Sequence, residues 1–165
     1  MVISLIVAAS EDNAIGKGND LLWRLPNDMK FFKNKTWAMP VAMGRRTFES
    51  FKGVALPGRL NIVITRQPDF SVPDGVVRVS TLAEAIEAAR ASNCRELFIA
   101  GGGEIYKQAM SLADRIYLTR VHASFPDADT HLEGFEEKDW VLKDRQDFPA
   151  DEKHAVAYSF EKWEK

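Results

Sequence analysis

Short runs of consecutive apolar and β-branched residues recur along the chain with helical periods between them, and this alternation limits the fold more than any other feature. Runs such as Ile62-Val63-Ile64 and Leu97-Phe98-Ile99-Ala100 have no polar face to offer solvent, so they read as strands covered on both sides in a parallel sheet. Strands are expected at residues 2–9, 40–44, 60–65, 76–79, 96–100 and 115–121, with two more near 140–148 and 154–160. The clearest helix spans 82–91, where Leu82, Ala85, Ile86 and Ala89 fall on one stripe and Thr81 with Glu84 has the spacing of a capping box. A second helix starts at Leu25-Pro26, with proline in its favoured first turn. A short one follows Gly44, and a fourth runs from about 103 to 110. Strand and helix in alternation give an α/β fold: a mostly parallel twisted sheet with helices on both faces and right-handed crossovers. No helix separates the last two strands, which therefore pair as a hairpin and leave one antiparallel strand at an edge.

No repeat, low-complexity tract or Pro/Gly/Ser-rich linker divides the 165 residues, so a single domain is expected over the whole chain. Hydrophobic residues at 45% and charged residues at 28% exclude a disordered chain and a multi-pass membrane protein. A formal charge of −2 gives no electrostatic ground for nucleic acid or acidic lipid as partner. The apolar opening has no positive residue before it, and Ser10-Glu11-Asp12-Asn13 ends it well short of the roughly 20 apolar residues of a membrane span. Cys94 stands alone, so a reducing, cytoplasmic setting is expected, and monomer is the default.

Chemistry concentrates where strands end. Gly101-Gly102-Gly103 follows an apolar strand and opens a helix, a geometry that lets backbone approach a ligand and offers N–H groups to phosphate. By itself the triplet reads equally well as a tight structural turn. Met43-Gly44-Arg45-Arg46-Thr47 repeats the geometry with two arginines, and Thr65-Arg66 closes a third strand. In an open parallel sheet, ligands sit beyond the carboxyl ends of strands. Three such ends describe a site for a dinucleotide, and the arginines suggest an extra phosphate on its ribose.

On the helix after Pro26, Leu25, Met29, Phe32 and Thr36 lie along one side with Asp28 beside them. The acid is either a first-turn residue favoured by the helix dipole or a carboxylate aimed into an apolar pocket, where it would have a raised pKa and grip two parallel N–H donors of a heterocycle. Leu56-Pro57-Gly58-Arg59 is a turn that places an arginine fork at a strand mouth. His122, His131 and His154 have no ligand spacing, so no metal site is expected.

In order along the chain, these pieces resemble the dihydrofolate reductases, bacterial type. The resemblance rests on the first strand to Ala8, Ile15-Gly16, Trp23-Arg24-Leu25-Pro26-Asn27-Asp28, the segment from Pro40 to Ser50, and Leu56-Pro57-Gly58-Arg59. It continues through Gly101-Gly102-Gly103-Glu104-Ile105-Tyr106, Tyr117-Leu118-Thr119 and Asp129-Thr130-His131. It implies NADPH-dependent reduction of 7,8-dihydrofolate, by hydride transfer to C6 and protonation at N5. Asp28 would hold the pterin ring with Thr119 as its hydroxyl partner. Ile6, Val7, Ala8, Met29, Phe32 and Phe51 would wall the pterin and aminobenzoyl groups, and Arg59 would clamp the glutamate carboxylate. Ile15, Gly16, Leu21 and Trp23 would belong to a mobile loop over the nicotinamide. Gly44, Arg45, Arg46, Thr47, Thr65 and Arg66 would cradle the cofactor phosphates, with residues 39–93 as an adenosine-binding subregion. Gly101, Gly102, Gly103, Glu104, Ile105 and Tyr106 would line the nicotinamide end, with a cis Gly–Gly bond. Asp129 would bond loop backbone near Gly16.

The chain also departs from the family pattern. Leu21-Leu22 stands where the best-known bacterial member has a Met-Pro pair, Glu104 stands where that enzyme has arginine, and an extra residue near Val54 shifts the register behind Phe51. Two other readings stay open: a folate- or dinucleotide-binding protein without turnover, and a same-fold reductase of flavin synthesis, which would share the cofactor cradle but not Asp28 or Arg59.

Overall fold

A computed structural model describes residues 1–18 and 20–165. Its elements are β1 (Val2–Ser10), β2 (Ala14–Gly16), α1 (Pro26–Lys35), β3 (Val41–Gly44), α2 (Arg45–Ser50), β4 (Asn61–Ile64) and β5 (Val76–Val79). They continue with α3 (Leu82–Ala91), β6 (Glu96–Ile99), α4 (Gly103–Ala109), β7 (Arg115–Val121), β8 (Thr130–His131), β9 (Val141–Phe148) and β10 (Tyr158–Glu164). Eight strands form one sheet in the order β5-β4-β3-β6-β1-β7-β10-β9. Neighbours are parallel from β5 through β7, whereas β10 runs antiparallel to both β7 and β9. The terminal hairpin thus supplies an edge strand, β9, in antiparallel pairing.

Burial on both faces of the sheet follows from the strand period of two. Ile3, Leu5 and Val7 of β1, Ile62 and Ile64 of β4, and Leu97 and Ile99 of β6 face one cluster with α3 and α4. The intervening Ile6, Val63 and Phe98 face a second cluster with Phe48 of α2 and Phe31 and Phe32 of α1. Helices therefore cover both faces, two on each.

Helix α3 begins where the sequence signals it. Thr81 Oγ1 accepts the Glu84 N–H at 3.1 Å, while the Glu84 carboxylate accepts the Ser80 N–H at 3.2 Å, one residue before the position a capping box would use. Helix α4 ends at Ala109 rather than 110. The last strand starts at Tyr158, not 154, because residues 151–154 turn back on themselves through paired backbone bonds between Asp151 and His154. The short pair β2–β8 has no counterpart among the expected strands. Every parallel strand points its carboxyl end to the same side, so Ser10, Gly44, Ile64 and Ile99 end along one edge of the sheet.

Candidate active site

A cleft of about 1110 Å³ opens on that edge. Pockets for one drug-sized ligand run from roughly 300 to 1,000 Å³, so this one lies just beyond the upper end of that range. One half is built on β1, α1 and β7. Ile6, Val7 and Ala8 form part of the floor, and Met29, Phe32 and Phe51 line the walls, the last two rings stacked with centroids 6.1 Å apart.

Asp28 and Thr119 meet inside the cleft although 91 positions separate them: Thr119 Oγ1 donates to Asp28 Oδ1 at 2.6 Å. The hydroxyl sits on central strand β7 and is itself buried. Asp28 keeps a partly open face toward the cleft, yet it lies deep enough that burial pushes its pKa above the ordinary 3.8, and the Thr119 bond pulls only part of the way back. This choice between a first-turn acid and a pocket carboxylate resolves as both: Asp28 stands in the first turn of α1 and lines the cleft.

Tyr106 closes the floor. Its hydroxyl donates to the Ile6 carbonyl at 2.7 Å, and burial together with the Asp28 charge drives its pKa far up, so it remains a neutral donor.

The other half lies over α2 and α4. Gly44, Arg45, Arg46 and Thr47 line the cleft beside Gly101, Gly102, Gly103, Glu104 and Ile105, with the Gly44 N–H donating to the Gly101 carbonyl at 2.8 Å. The Gly101–Gly102 peptide is cis. Gly101 has φ +112°, which an L side chain rarely adopts, and a Cβ at Gly103 would come within 2.6 Å of Thr130 Cγ2. Both helices start on a glycine N-cap that has no side chain to accept first-turn N–H groups. That leaves backbone donors beside two arginines, a donor set that suits the phosphates of a dinucleotide. The residues present therefore fit an NADPH-type ligand. Glu104 opposes it locally, its carboxylate held by Gln108 Nε2 at 3.3 Å.

Ile15, Gly16 and Leu21 reach the cleft from the segment after β1. The Gly18 N–H donates to Asp129 Oδ2 at 2.8 Å and the Asp129 N–H donates to the Gly16 carbonyl at 3.2 Å, which fastens this segment to the approach to β8. Gly18, Asp20, Ser50 and Thr130 also line the cleft; only their nearness in sequence to Gly16, Thr47 and Asp129 could have signalled them.

Four expected site residues stand off the cleft wall. Trp23 lines a neighbouring cavity of about 390 Å³ together with Leu21, Asp28 and Met29, and its Nε1–H is buried without a hydrogen-bond partner among the described residues. Arg59 is bound to the far end of α1: Nε donates to Thr36 Oγ1 at 2.9 Å, Nη2 to the Lys33 carbonyl at 2.7 Å and Nη1 to the Pro57 carbonyl, with the guanidinium over Trp37. Three of its five N–H groups are thereby used on the protein. Thr65 is buried at the end of β4 and accepts the Gln67 N–H, while Arg66 beside it is exposed. Among the described residues, no group of three metal-ligating side chains occurs and no helix is long and apolar enough to cross a membrane.

Comparison with known proteins agrees with this architecture. Residues 2–165 match the dihydrofolate reductase family. Dihydrofolate reductase type 3 of Salmonella typhimurium is 43% identical over 162 residues, 97% of this chain and 96% of that one. Dihydrofolate reductase of Bacillus subtilis (strain 168) is 40% identical over 164 residues, 99% and 95% of the two chains. A solved structure of dihydrofolate reductase from Enterococcus faecalis, complexed with NADP(H) and RAB-propyl, superposes with a TM-score of 0.88 at 31% identity over 99% of this chain and 95% of that one. On the family match, these relatives and the shared fold, the chain belongs to the dihydrofolate reductase family.

Proposed function

We propose that the cleft takes 7,8-dihydrofolate on its Asp28 side and NADPH across the strand ends, and that the chain catalyses NADPH-dependent reduction to 5,6,7,8-tetrahydrofolate. The observation that carries this reading is the Asp28–Thr119 pair, a half-buried carboxylate with a buried hydroxyl partner, opening into the same cleft as the glycine-flanked starts of α2 and α4. Asp28 accepts the N3 and 2-amino N–H groups of the pterin on two oxygens, and charge-assisted pairs of this kind are about twice as strong as neutral ones. Ile6, Met29, Phe32 and Phe51 exclude water around the ring and its aminobenzoyl arm. Arg59 meets the glutamate carboxylate with the N–H groups that Pro57, Lys33 and Thr36 leave over.

NADPH, when bound, supplies the hydride that reaches C6 of the pterin. Arg45, Arg46, Thr47, Thr65 and Arg66 bind its phosphates within the segment 39–93, and Gly101, Gly102, Gly103, Ile105 and Tyr106 form the wall against its nicotinamide. The protein contributes placement and a dry site rather than a reactive group. Asp28 grips the pyrimidine edge and does not reach N5, so a water carries that proton, with the Asp28 charge favouring the protonated pterin. The smaller cavity, lined by Asp28 with Leu21, Trp23 and Met29, leaves room for such a water. One chain contributes the whole cleft, which supports action as a monomer, and the lone Cys94 supports a cytoplasmic setting.

The test is spectrophotometric. NADPH absorbance should fall on mixing protein, NADPH and dihydrofolate, with one tetrahydrofolate formed per NADPH consumed. Tight binding of both ligands with no loss of NADPH would leave only a binding protein.

A further inference from the structure

His154 and Asp151 lie outside both cavities, and the proposed reaction gives them no part. His154 is 2% exposed, although it sits in the turn before the last strand. Its Nδ1 is 2.8 Å from Asp151 Oδ1, and its Nε2 is 3.1 Å from the backbone N of Asn27. An amide N–H can only donate, so Nε2 carries the lone pair and the ring proton sits on Nδ1, where Asp151 accepts it.

The bonded amide is the one that α1 cannot satisfy by itself. Leu25 is the N-cap and has no side chain able to accept a hydrogen bond, Pro26 has no N–H, and the Asp28 and Met29 N–H groups both reach the Leu25 carbonyl. Asn27 N–H is left over, and a side chain 127 residues further along takes it. The adjacent strand adds two ties to the same helix: Asn27 Nδ2 donates to the Tyr158 hydroxyl at 2.9 Å, and Phe31 stacks on Phe160 with centroids 4.3 Å apart. The next residue after Asn27 is Asp28.

We propose that His154, oriented by Asp151, is a positioning residue: it caps α1 from the far end of the chain and so fixes where the Asp28 carboxylate meets the substrate. This rests on the reading of Asp28 as the pterin anchor. The anchor is engaged before and during hydride transfer alike, so loosening it weakens substrate binding more than turnover.

The experiment compares the intact wild-type protein with His154→Phe, which keeps the ring and removes the acceptor, and His154→Gln, whose amide oxygen lies near the place of Nε2. Losing one hydrogen bond of this kind should raise KM for dihydrofolate about three- to tenfold, with kcat and KM for NADPH within about twofold. Amide hydrogen exchange at Asn27 should speed up in His154→Phe, and His154→Gln should restore both properties. Should His154→Phe fail to fold, Asp151→Ala at the exposed partner should shift KM for dihydrofolate and Asn27 exchange in the same direction by a smaller factor. The proposal is overturned if His154→Phe keeps the wild-type KM for dihydrofolate, if both substrates' KM values rise together, or if His154→Gln behaves like His154→Phe. Wild-type protein that consumes no NADPH would defeat the functional reading instead, and Asn27 exchange would still report whether His154 caps the helix.

Discussion

At the scale of single residues, Asp28 faces conflicting demands, because the burial that would strengthen its proposed grip on the pterin also destabilises its charge. Burial raises its pKa above the 3.8 of a free side chain, so the folded protein holds this proton to higher pH than the unfolded chain does. Stability from this group is therefore fullest below 3.8, is lost as pH rises through the native value, and stays at its minimum once both states are ionised. Asp28→Asn removes the buried charge and leaves an oxygen for the Thr119 hydroxyl. In thermal denaturation it should melt above wild type at neutral pH, with the advantage shrinking on acidification, while kcat/KM for dihydrofolate falls on the order of 10²-fold with the charge-assisted pair. A variant that melts below wild type at neutral pH and keeps its activity would contradict both halves. The sequence showed Asp28 beside an apolar stripe but left its orientation undecided. Only the resemblance paired it with Thr119, because a contact across 91 positions leaves no local period. Arg59 was legible as a turn residue with a free fork, yet its bonds to Pro57, Lys33 and Thr36 depend on how α1 ends, which no spacing specifies.

At the scale of elements, what could be read followed burial. Strands β3, β4 and β6 are apolar on both faces and α3 carries a full stripe, so their positions were set within a residue or two. The pair β2–β8 has two or three residues per strand and little alternation, hence no signal of its own. It forms because Asp129 and the Gly16–Gly18 backbone complete each other's hydrogen bonds across more than 110 positions. Helix α1 shows the same dependence: its first turn is completed by His154, whose spacing advertised nothing. Asp129 is therefore predicted to act as the latch of the segment that lines the cleft with Ile15 and Leu21. The Gly18 N–H, followed by the Thr130 hydroxyl, holds its carboxyl below the ordinary 3.8. A carboxyl lowered in the folded state gives a contact that persists across neutral pH and releases only as pH falls through that lowered value. Asp129→Ala should slow hydride transfer about tenfold, within the roughly 10² that a 1 Å misplacement can cost, as read in single-turnover NADPH oxidation. An unchanged single-turnover rate would show that the latch does not govern the site.

For the whole molecule, one consequence of a parallel sheet matters most: strands far apart in sequence deliver their carboxyl ends to one edge. That is why Gly44, Thr65 and Gly101, far apart in sequence, come to the same edge of the sheet, and on the proposed reading a chain of net charge −2 holds a polyanion there. The positive charge is local, carried on Arg45 and Arg46 at the start of α2 and on Arg66 past the end of β4. Arg66 is exposed and follows a buried threonine, a placement suited to a phosphate at the rim of the cleft rather than in its floor. If it meets the 2′-phosphate, Arg66→Ala should weaken NADPH about tenfold, as the loss of one charged contact does, and leave NADH unaffected. Ligand at 100 times its Kd adds about 2.7 kcal/mol to folded stability, and at ten times about 1.4 kcal/mol. With roughly 2–4 °C per kcal/mol for a chain of this size, NADPH should raise Tm by about 5–10 °C in wild type and by about half as much in Arg66→Ala at the same concentration. The deficit should narrow as salt is added, because an exposed pair is screened over about 10 Å at 0.1 M. Equal NADPH shifts in the two proteins at low salt would remove Arg66 from the cofactor's path and leave Arg45 and Arg46 to carry its charge.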